Sequence, residues 1–291
     1  MNDAIPQFAA DTHSGLHRSL NEDSFGAYPD LGLWLVADGV GGHSCGEIAS
    51  NIVRSTLREQ VAGGASLESA VTASHDAVLR AIESGQGAAG MGSTVIALRL
   101  SGNDYELCWV GDSRAYLWDG ALRQVSHDHN RVAELLASNA ITREQAANHP
   151  QRHVLTQSLG VSPSMELAPG RATGTLQPGD ALLLCSDGLT DELSDSLIAH
   201  LLQDHATPRA QVDALMSAAL DAGGRDNITA IIVSAVAPPA DKADIATDEF
   251  LETTQDNRRS ASGGKPNDGR FPLRALILLS ALAVLAVMIL L

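Results

Sequence analysis

The amino-acid sequence predicts an α+β protein, in which a sheet-rich core is flanked by helices and followed by one apolar helix. Three observations support this class. Short apolar runs of strand length recur along the chain and end beside an aspartate and a glycine. Two amphipathic helical patterns follow the first of these runs. Residues 275–291 are apolar except for Ser280, a composition typical of a membrane span.

The first strand, at residues 33–37, ends on Asp38 and Gly39. A buried strand that stops in Asp-Gly brings one carboxylate to the edge of its sheet, although such a dipeptide can also be an ordinary turn. The pattern recurs at Asp187 and Asp112, and Asp226 directly precedes a β-branched strand. Carboxylates that converge at one sheet edge repel one another unless cations lie between them. The sequence therefore predicts a site for a hard divalent metal ion.

The elements between these aspartates follow from periodicity and turn residues. Amphipathic helices are predicted at 45–61 and 67–82. Three successive strands with short turns predict an antiparallel meander at 93–100, 105–110 and 114–118. A largely polar segment, 127–158, separates this meander from the rest of the core. The last predicted elements, in chain order, are a strand at 181–186, helices at 194–202 and 208–222, and a strand at 228–236.

Charge and cysteine content exclude some classes of function. The net charge of −16 argues against nucleic-acid binding, which needs a basic surface. The cysteines, Cys45, Cys108 and Cys185, are expected to be buried free thiols in a reducing compartment. Two of them, Cys108 and Cys185, lie in apolar strand patterns, and a cysteine nucleophile is not expected. The first ten residues lack the pattern of a secretory signal.

The composition changes after the core. We predict a folded domain at 1–237, a disordered linker at 238–270 and a transmembrane anchor at 271–291. At 1.5 Å per residue, the apolar run spans roughly 26 Å. A buried core helix is the alternative, but the polar linker offers no core to bury it. Arg270 and Arg274 precede the run and no charge follows it. This distribution predicts a single-pass protein whose preceding domain lies in the cytoplasm.

Seven motifs together resemble the metal-dependent type 2C (PPM) Ser/Thr protein phosphatases. The segment from Ile141-Thr142 to Leu155-Thr156 resembles the bacterial members in particular, and the resemblance covers roughly residues 7–236. The motifs are, in order, Arg18-x-x-Asn21-Glu22-Asp23, Asp38-Gly39-x-Gly41-Gly42, Gly92-Ser93-Thr94, Gly111-Asp112-Ser113-Arg114, Leu159-Gly160, Asp187-Gly188-x-x-Asp191 and Asp226-Asn227.

The resemblance implies a four-layer α-β-β-α sandwich, made of two antiparallel sheets flanked by helices, with a two-metal centre at one edge. It also implies roles for nine of the matching residues. The implied roles are Asp38 as the bridge between two ions, Glu22 and the Gly39 carbonyl as ligands of one ion, Asp187 and Asp226 as ligands of the other, Asp112 and Asp191 with Asp187 as a weaker third site, Asp23 as the residue that orients a water, and Arg18 as the phosphate-binding catalytic residue.

The implied reaction is dephosphorylation of phosphoserine and phosphothreonine in proteins by a water that two metal ions activate, without a covalent phosphoenzyme. Carboxylates and a carbonyl suit Mn²⁺ or Mg²⁺, and no Cys/His cluster suggests zinc. Val40 stands where eukaryotic members carry a histidine thought to protonate the leaving group. Whether His43 or a water replaces it stays open. The segment 127–158 resembles the family's flap, and the histidines of this flap-like segment are expected to have surface or packing roles: His127, His129, His149 and His153.

Two other functions remain open from the sequence. A membrane-tethered pseudophosphatase would act as a binding or scaffold module, but no metal carboxylate is missing. A second alternative keeps the metals and hydrolyses another phosphoester. The expected partners are phosphorylated proteins, including a Ser/Thr kinase or its substrates, and the cytoplasmic membrane. We expect no nucleic-acid partner and a monomeric protein.

Overall fold

The computed structural model describes residues 6–41, 45–147 and 149–236. Within these residues the chain forms eleven strands and seven α-helices. The strands are β1 (Phe8–His13), β2 (Asp23–Tyr28), β3 (Leu33–Val40), β4 (Gly92–Ser93), β5 (Val95–Ser101), β6 (Asp104–Val110), β7 (Arg114–Trp118), β8 (Leu122–Gln124), β9 (Gly170–Thr175), β10 (Ala181–Cys185) and β11 (Ile228–Ser234). The helices are α1 (Cys45–Ala62), α2 (Leu67–Glu83), α3 (Arg131–Ala137), α4 (Arg143–Ala147), α5 (Asp187–Thr190), α6 (Asp195–Asp204) and α7 (Pro208–Ala222).

The strands form two antiparallel sheets. The first sheet has the order β1-β11-β10-β7-β8. The second sheet has the order β2-β3-β5-β6-β9, and β4 pairs with the end of β3. Both β3, which carries Asp38, and β11, which Asp226 precedes by two residues, lie inside their sheets and have neighbouring strands on both sides.

The two sheets pack face to face, and helices cover their outer faces. Trp34 on β3 and Ile231 on β11 belong to the core between the sheets. Leu35 points to the opposite face of β3, where it packs against α1 and α2. On the first sheet, Leu183 of β10 packs in the same way against α6 and α7. Successive side chains of a strand point to opposite faces, so central strands covered on both sides are apolar throughout. The predicted α-β-β-α sandwich is confirmed.

Helix boundaries follow local sequence signals. Thr207 caps α7, because its hydroxyl accepts a hydrogen bond from the Ala210 amide at 3.3 Å, and Pro208 occupies the first helical position. Ser66 caps α2 in the same way through the Ser69 amide. These are common N-terminal signals, and the helix predicted at 208–222 has the observed boundaries.

The predicted three-stranded meander is wrong at its third strand. β5 and β6 pair in the second sheet, but β7 pairs with β10 in the first. The chain crosses between the sheets at Gly111, whose φ of +106° and close approach to Thr94 suit only glycine. A short turn alone does not decide whether two strands share a sheet. The crossing places Asp112 at the junction of the two sheets.

The predicted linker, 238–270, and anchor, 271–291, lie outside the described residues. Among the residues that the structure does describe, no helix has both the length and the hydropathy needed to cross a bilayer. The domain boundaries and the anchor therefore stay predictions.

Candidate metal centre

Acidic side chains from both sheets meet at one end of the sandwich. Asp38 lies near the end of β3, and Asp23, its register partner, begins β2. Asp187 is the first residue of α5, separated from β10 only by Ser186, and Asp226 lies two residues before β11. Asp112 lies at the crossing from β6 to β7. The structure thus brings together the strand-end aspartates that the sequence singled out.

Glu22 and the Gly39 carbonyl face each other beside the start of α1. The Gly39 amide donates to the Glu22 carbonyl oxygen at 3.1 Å, and the Gly46 amide donates to Glu22 Oε1 at 3.2 Å. A Cβ atom at Gly46 would lie 2.6 Å from Glu22 Oε1 and 2.7 Å from the Gly39 oxygen. Both oxygens therefore lie around one point, as the predicted ligation of one ion requires.

The backbone of Asp38 is held by the segment that follows the second helix. Its amide donates to Thr94 Oγ1 at 3.1 Å, and its carbonyl accepts from the Thr94 amide at 2.8 Å and from Ser93 Oγ at 3.1 Å. Thr94 Oγ1 also lies 2.8 Å from Ser113 Oγ, next to Asp112. These contacts fix the position of Asp38 relative to Asp112.

Asp23 is buried below the other carboxylates. Its Oδ2 accepts hydrogen bonds from Ser186 Oγ at 2.8 Å and Thr229 Oγ1 at 2.6 Å. Its Oδ1 is buried and has no hydrogen-bond partner. Burial raises the pKa of Asp23 to about 7, even though these hydroxyls oppose the shift. An oxygen with free lone pairs at this depth fits the predicted role of accepting a hydrogen from an ordered water.

The electrostatics of the cluster fit a bound cation. Burial, followed by the charges of Asp23 and Asp187, raises the pKa of Asp38 well above its ordinary value. Burial and the charge of Asp187 raise the pKa of Asp112 to about 8, and the same two causes raise the pKa of Asp191. Clustered carboxylates become costly to ionise together, and a divalent ion removes that cost. The oxygen-only donor set around Asp38 is the set that Mn²⁺ and Mg²⁺ prefer.

Arg18 reaches the same site from the loop after β1. Its Nη2 donates to Asp226 Oδ2 at 2.6 Å, and half of its side chain is exposed. The Asn227 side chain holds this loop, because it accepts from the Glu22 amide at 2.7 Å and donates to the Leu20 carbonyl at 2.8 Å. The predicted phosphate-binding residue thus lies directly against a predicted metal ligand.

The flap-like segment contributes one residue that the sequence did not single out for the site. His153 lies with Nδ1 3.8 Å from Asp187 Oδ2 and with Nε2 3.6 Å from Asp191 Oδ2. The expected packing role fits His129 better, since its ring stacks on Trp109 and its Nδ1 accepts from the Gly111 amide at 3.3 Å. His43, the alternative proton donor, lies outside the described residues.

The thiols are unsuited to nucleophilic catalysis. Cys108 and Cys185 are buried, and burial raises the pKa of each to about 12. Both thiols therefore stay protonated near neutral pH, whereas the form that acts as a nucleophile is the thiolate. Cys45 is buried at the start of α1.

Comparisons with known proteins agree with this geometry. A family model for protein phosphatase 2C matches residues 14–222. The Ser/Thr protein phosphatase PstP of Mycobacterium tuberculosis is 38% identical over 244 residues, which are 80% of this chain and 45% of PstP. The Ser/Thr phosphatase stp of Listeria monocytogenes is 32% identical over 236 residues, which are 76% of this chain and 93% of that protein.

Solved structures show the same likeness. The crystal structure of the PstP catalytic domain in complex with two manganese ions matches with a TM-score of 0.71 and 34% identity. The match covers 80% of this chain and 99% of that one. The present chain spans less than half the length of full PstP. From its motifs, its fold and these similarities, the chain belongs to the protein phosphatase 2C family.

Proposed function

We propose that this protein is a metal-dependent phosphatase that removes phosphate from phosphoserine and phosphothreonine in proteins. The observation that carries the proposal is the convergence of Glu22, Asp38, Asp187 and Asp226 at one end of the sandwich, with Arg18 beside them. Family membership and the names of the relatives support the same activity. The buried, protonated thiols of Cys108 and Cys185 argue against a cysteine mechanism.

The carboxylates divide into sets that fit two ions. Glu22 and the Gly39 carbonyl would hold one ion, Asp187 and Asp226 the other, and Asp38 both. Asp112 and Asp191, with Asp187, would hold a weaker third ion. When bound, such ions supply positive charge to the phosphoryl oxygens and make water a stronger acid.

The side chains of the chain itself then position the reactants. The Arg18 guanidinium, already at the rim, offers its fork of donors to the phosphate of the substrate. Asp23 Oδ1, which is buried and has no hydrogen-bond partner, would accept a hydrogen bond from a water next to the phosphate. Val40 has no proton to donate, so the proton for the leaving group comes from another source.

The test is an assay of the full chain with phosphothreonine and phosphoserine peptides, each with Mn²⁺ or Mg²⁺. We expect turnover of both peptides, and we expect Arg18→Ala to raise KM more than it lowers kcat, because binding to the phosphate is shared by ground and transition states. An inactive chain that still binds phosphoproteins would favour the scaffold alternative. Hydrolysis of small phosphoesters without peptide turnover would favour another substrate class.

We further propose that residues 271–291 anchor the protein, with its catalytic domain in the cytoplasm and residues 238–270 as a tether. The support is compositional: an apolar run preceded by Arg270 and Arg274. Substrates near the membrane, including a Ser/Thr kinase or its targets, would then be favoured. The full chain should sediment with membranes, whereas a chain ending at Arg270 should not. A full chain in the soluble fraction, or a domain digested by protease outside intact spheroplasts, would exclude this topology.

The monomeric state also stays a prediction.

A further inference from the structure

Two loops carry the carboxylates that the first sheet contributes to the site. The turn of α5 carries Asp187 and Asp191, and the loop before β11 carries Asp226. Asp191 and Asp226 lie outside the strands, so the sheet hydrogen bonds do not hold them directly. Their relative position comes in part from the pairing of β10 with β11, which holds the backbone next to Asp187, and in part from contacts between the two loops.

One such contact lies at the start of α5. Gly188 packs directly on the Asn227 carbonyl, since a Cβ atom there would lie only 2.0 Å from that oxygen. The Asp191 amide donates to the Asp187 carbonyl at 2.7 Å, which closes the turn. This contact fixes the start of the turn, at Gly188, against the loop before β11. The end of the turn, at Asp191, needs a second contact.

The second contact is an ion pair between Glu192 and Arg225. Glu192 Oε1 accepts from the backbone amide and from Nε of Arg225, each at 2.9 Å, and Oε2 accepts from Nη2 at 2.9 Å. Nη2 also donates to the Asp191 carbonyl at 3.3 Å. The Glu192 side chain is only 2% exposed, whereas that of Arg225 is 63% exposed, so the carboxylate is the buried partner of this pair. A buried carboxylate with three donors from one residue has little freedom to move.

Glu192 and Arg225 are each adjacent in the sequence to a proposed metal ligand. Glu192 directly follows Asp191, and Arg225 directly precedes Asp226. A fork of two parallel hydrogen bonds fixes orientation as well as distance, which a lysine cannot do. The Arg171–Glu68 pair, which joins β9 to α2, is by contrast about half exposed on both sides. Such exposed pairs contribute little to structure.

We propose that Arg225 and Glu192 are positioning residues that set the spacing of Asp226 from Asp187 and Asp191, and hence the affinity of the site for Mn²⁺. This inference rests on the proposed function, because it takes those aspartates as metal ligands. In this proposal neither residue binds the ions or the substrate itself. Their effect acts through the carboxylates next to them in the chain.

The experiment measures Mn²⁺ binding by calorimetry on the full chain, without substrate. Arg225→Ala should weaken Mn²⁺ binding by about 10- to 100-fold, the range typical of residues that orient metal ligands. Arg225→Lys keeps the charge but not the fork and should restore only part of the affinity. The matched control is Arg171→Ala, which removes the ion pairs of Arg171 with Glu68 and Glu106, neither of them a proposed metal ligand, and should bind Mn²⁺ like the unmodified chain.

Circular dichroism and a melting curve in chelator accompany each variant, so that binding is measured only on folded protein. Glu192→Gln serves as a second variant, since it keeps the shape and removes the charge, and it should also weaken binding. Unchanged Mn²⁺ affinity in folded Arg225→Ala and Glu192→Gln overturns the positioning role, even if their melting temperatures fall. An equal loss in Arg171→Ala overturns it as well. If the unmodified chain binds no Mn²⁺, the proposed function fails together with this inference.

Discussion

At the scale of single residues, Gly46 lies where Glu22 and Gly39 face each other, although it supplies no side chain. Replacement by alanine would place a Cβ atom 2.6 Å from Glu22 Oε1 and 2.7 Å from the Gly39 carbonyl oxygen. The Glu22 side chain can turn away, but the Gly39 carbonyl can move only with β3. We therefore expect Gly46→Ala to weaken Mn²⁺ binding by at least about tenfold, as measured by calorimetry.

Gly63→Ala, just after the other end of α1, is the matched control. Its nearest neighbours would be 3.4 Å away, which is ordinary contact, and Mn²⁺ affinity should not change. Equal Mn²⁺ affinities of the two variants would show that the contact at Gly46 does not matter to the site.

A second residue-scale prediction concerns His75 on α2, far from the carboxylates. Its Nδ1 accepts from the Gly160 amide at 3.1 Å, and burial lowers its pKa, although Asp76 opposes the shift. A histidine with a lowered pKa stabilises the fold above the ordinary value of about 6.5, and that stability is lost as pH falls from 6.5 toward the folded pKa. His75→Asn keeps an acceptor but cannot titrate.

Urea unfolding between pH 7 and pH 5 measures this effect. As the pH is lowered from 7 to 5, the free energy of unfolding of His75→Asn should decrease less than that of the unmodified chain. Parallel curves would mean that His75 titrates alike in the folded and unfolded protein.

At the scale of elements, the root of the flap-like segment is tied to β7. Arg114 donates to Asp128 through Nε at 3.0 Å and through Nη2 at 2.8 Å, and the Asp128 side chain is 10% exposed. Asp128→Asn leaves the guanidinium without its anion. Breaking such a buried pair typically costs about 3–5 kcal/mol, and we expect a loss of about 3 kcal/mol in urea unfolding because Arg114 is partly exposed.

Asp119→Asn provides the comparison on the neighbouring turn. Asp119 pairs with Arg123 at 3.7 Å, and both side chains are largely exposed. Its loss should cost under about 1 kcal/mol. A similar cost for both variants would contradict the importance given to the buried pair.

The strands that sequence reasoning missed share one position in the fold. β1, β8, β2 and β9 are the edge strands of the two sheets. Central strands such as β3 and β10 are buried on both faces and form apolar runs, which predict strands directly. An edge strand such as β9, Gly170–Thr175, alternates between half-buried and exposed residues and contains two glycines. Its pairing with β6 comes from tertiary contacts that the local pattern does not show.

The residues of the candidate site also divide into those that a local sequence pattern predicts and those that depend on tertiary contacts. The aspartates beside apolar runs, Asp38, Asp112, Asp187 and Asp226, were predictable because strand and turn signals are local. The contacts that orient them join distant parts of the chain, as with Gly46 against Glu22 or Arg225 against Glu192. No sequence spacing reveals such contacts. Roles for Asp23 and Asp191 followed from family resemblance alone.

At the scale of the whole molecule, the carboxylates come from both sheets. Glu22 and Asp38 belong to the side of the second sheet, whereas Asp187 and Asp226 belong to the first. An ion bound by both pairs, as proposed above, would link the two sheets and bind only the folded chain. Mn²⁺ at 100 times its dissociation constant should therefore add about 2.7 kcal/mol of stability, seen as a higher melting temperature. A melting temperature that does not change with Mn²⁺ would mean that no ion binds between the carboxylates of the two sheets.

The central claim is that this cluster of carboxylates catalyses phosphate removal with bound metal. The most direct measurement is hydrolysis of a phosphothreonine peptide by the full chain, first in chelator and then with excess Mn²⁺, for the unmodified chain and for Asp38→Asn. We predict no turnover in chelator, recovery with Mn²⁺, and a rate for Asp38→Asn at least about 1,000-fold lower, equivalent to roughly 4 kcal/mol of barrier. Turnover that persists in chelator, or an Asp38→Asn rate close to that of the unmodified chain, would contradict the claim.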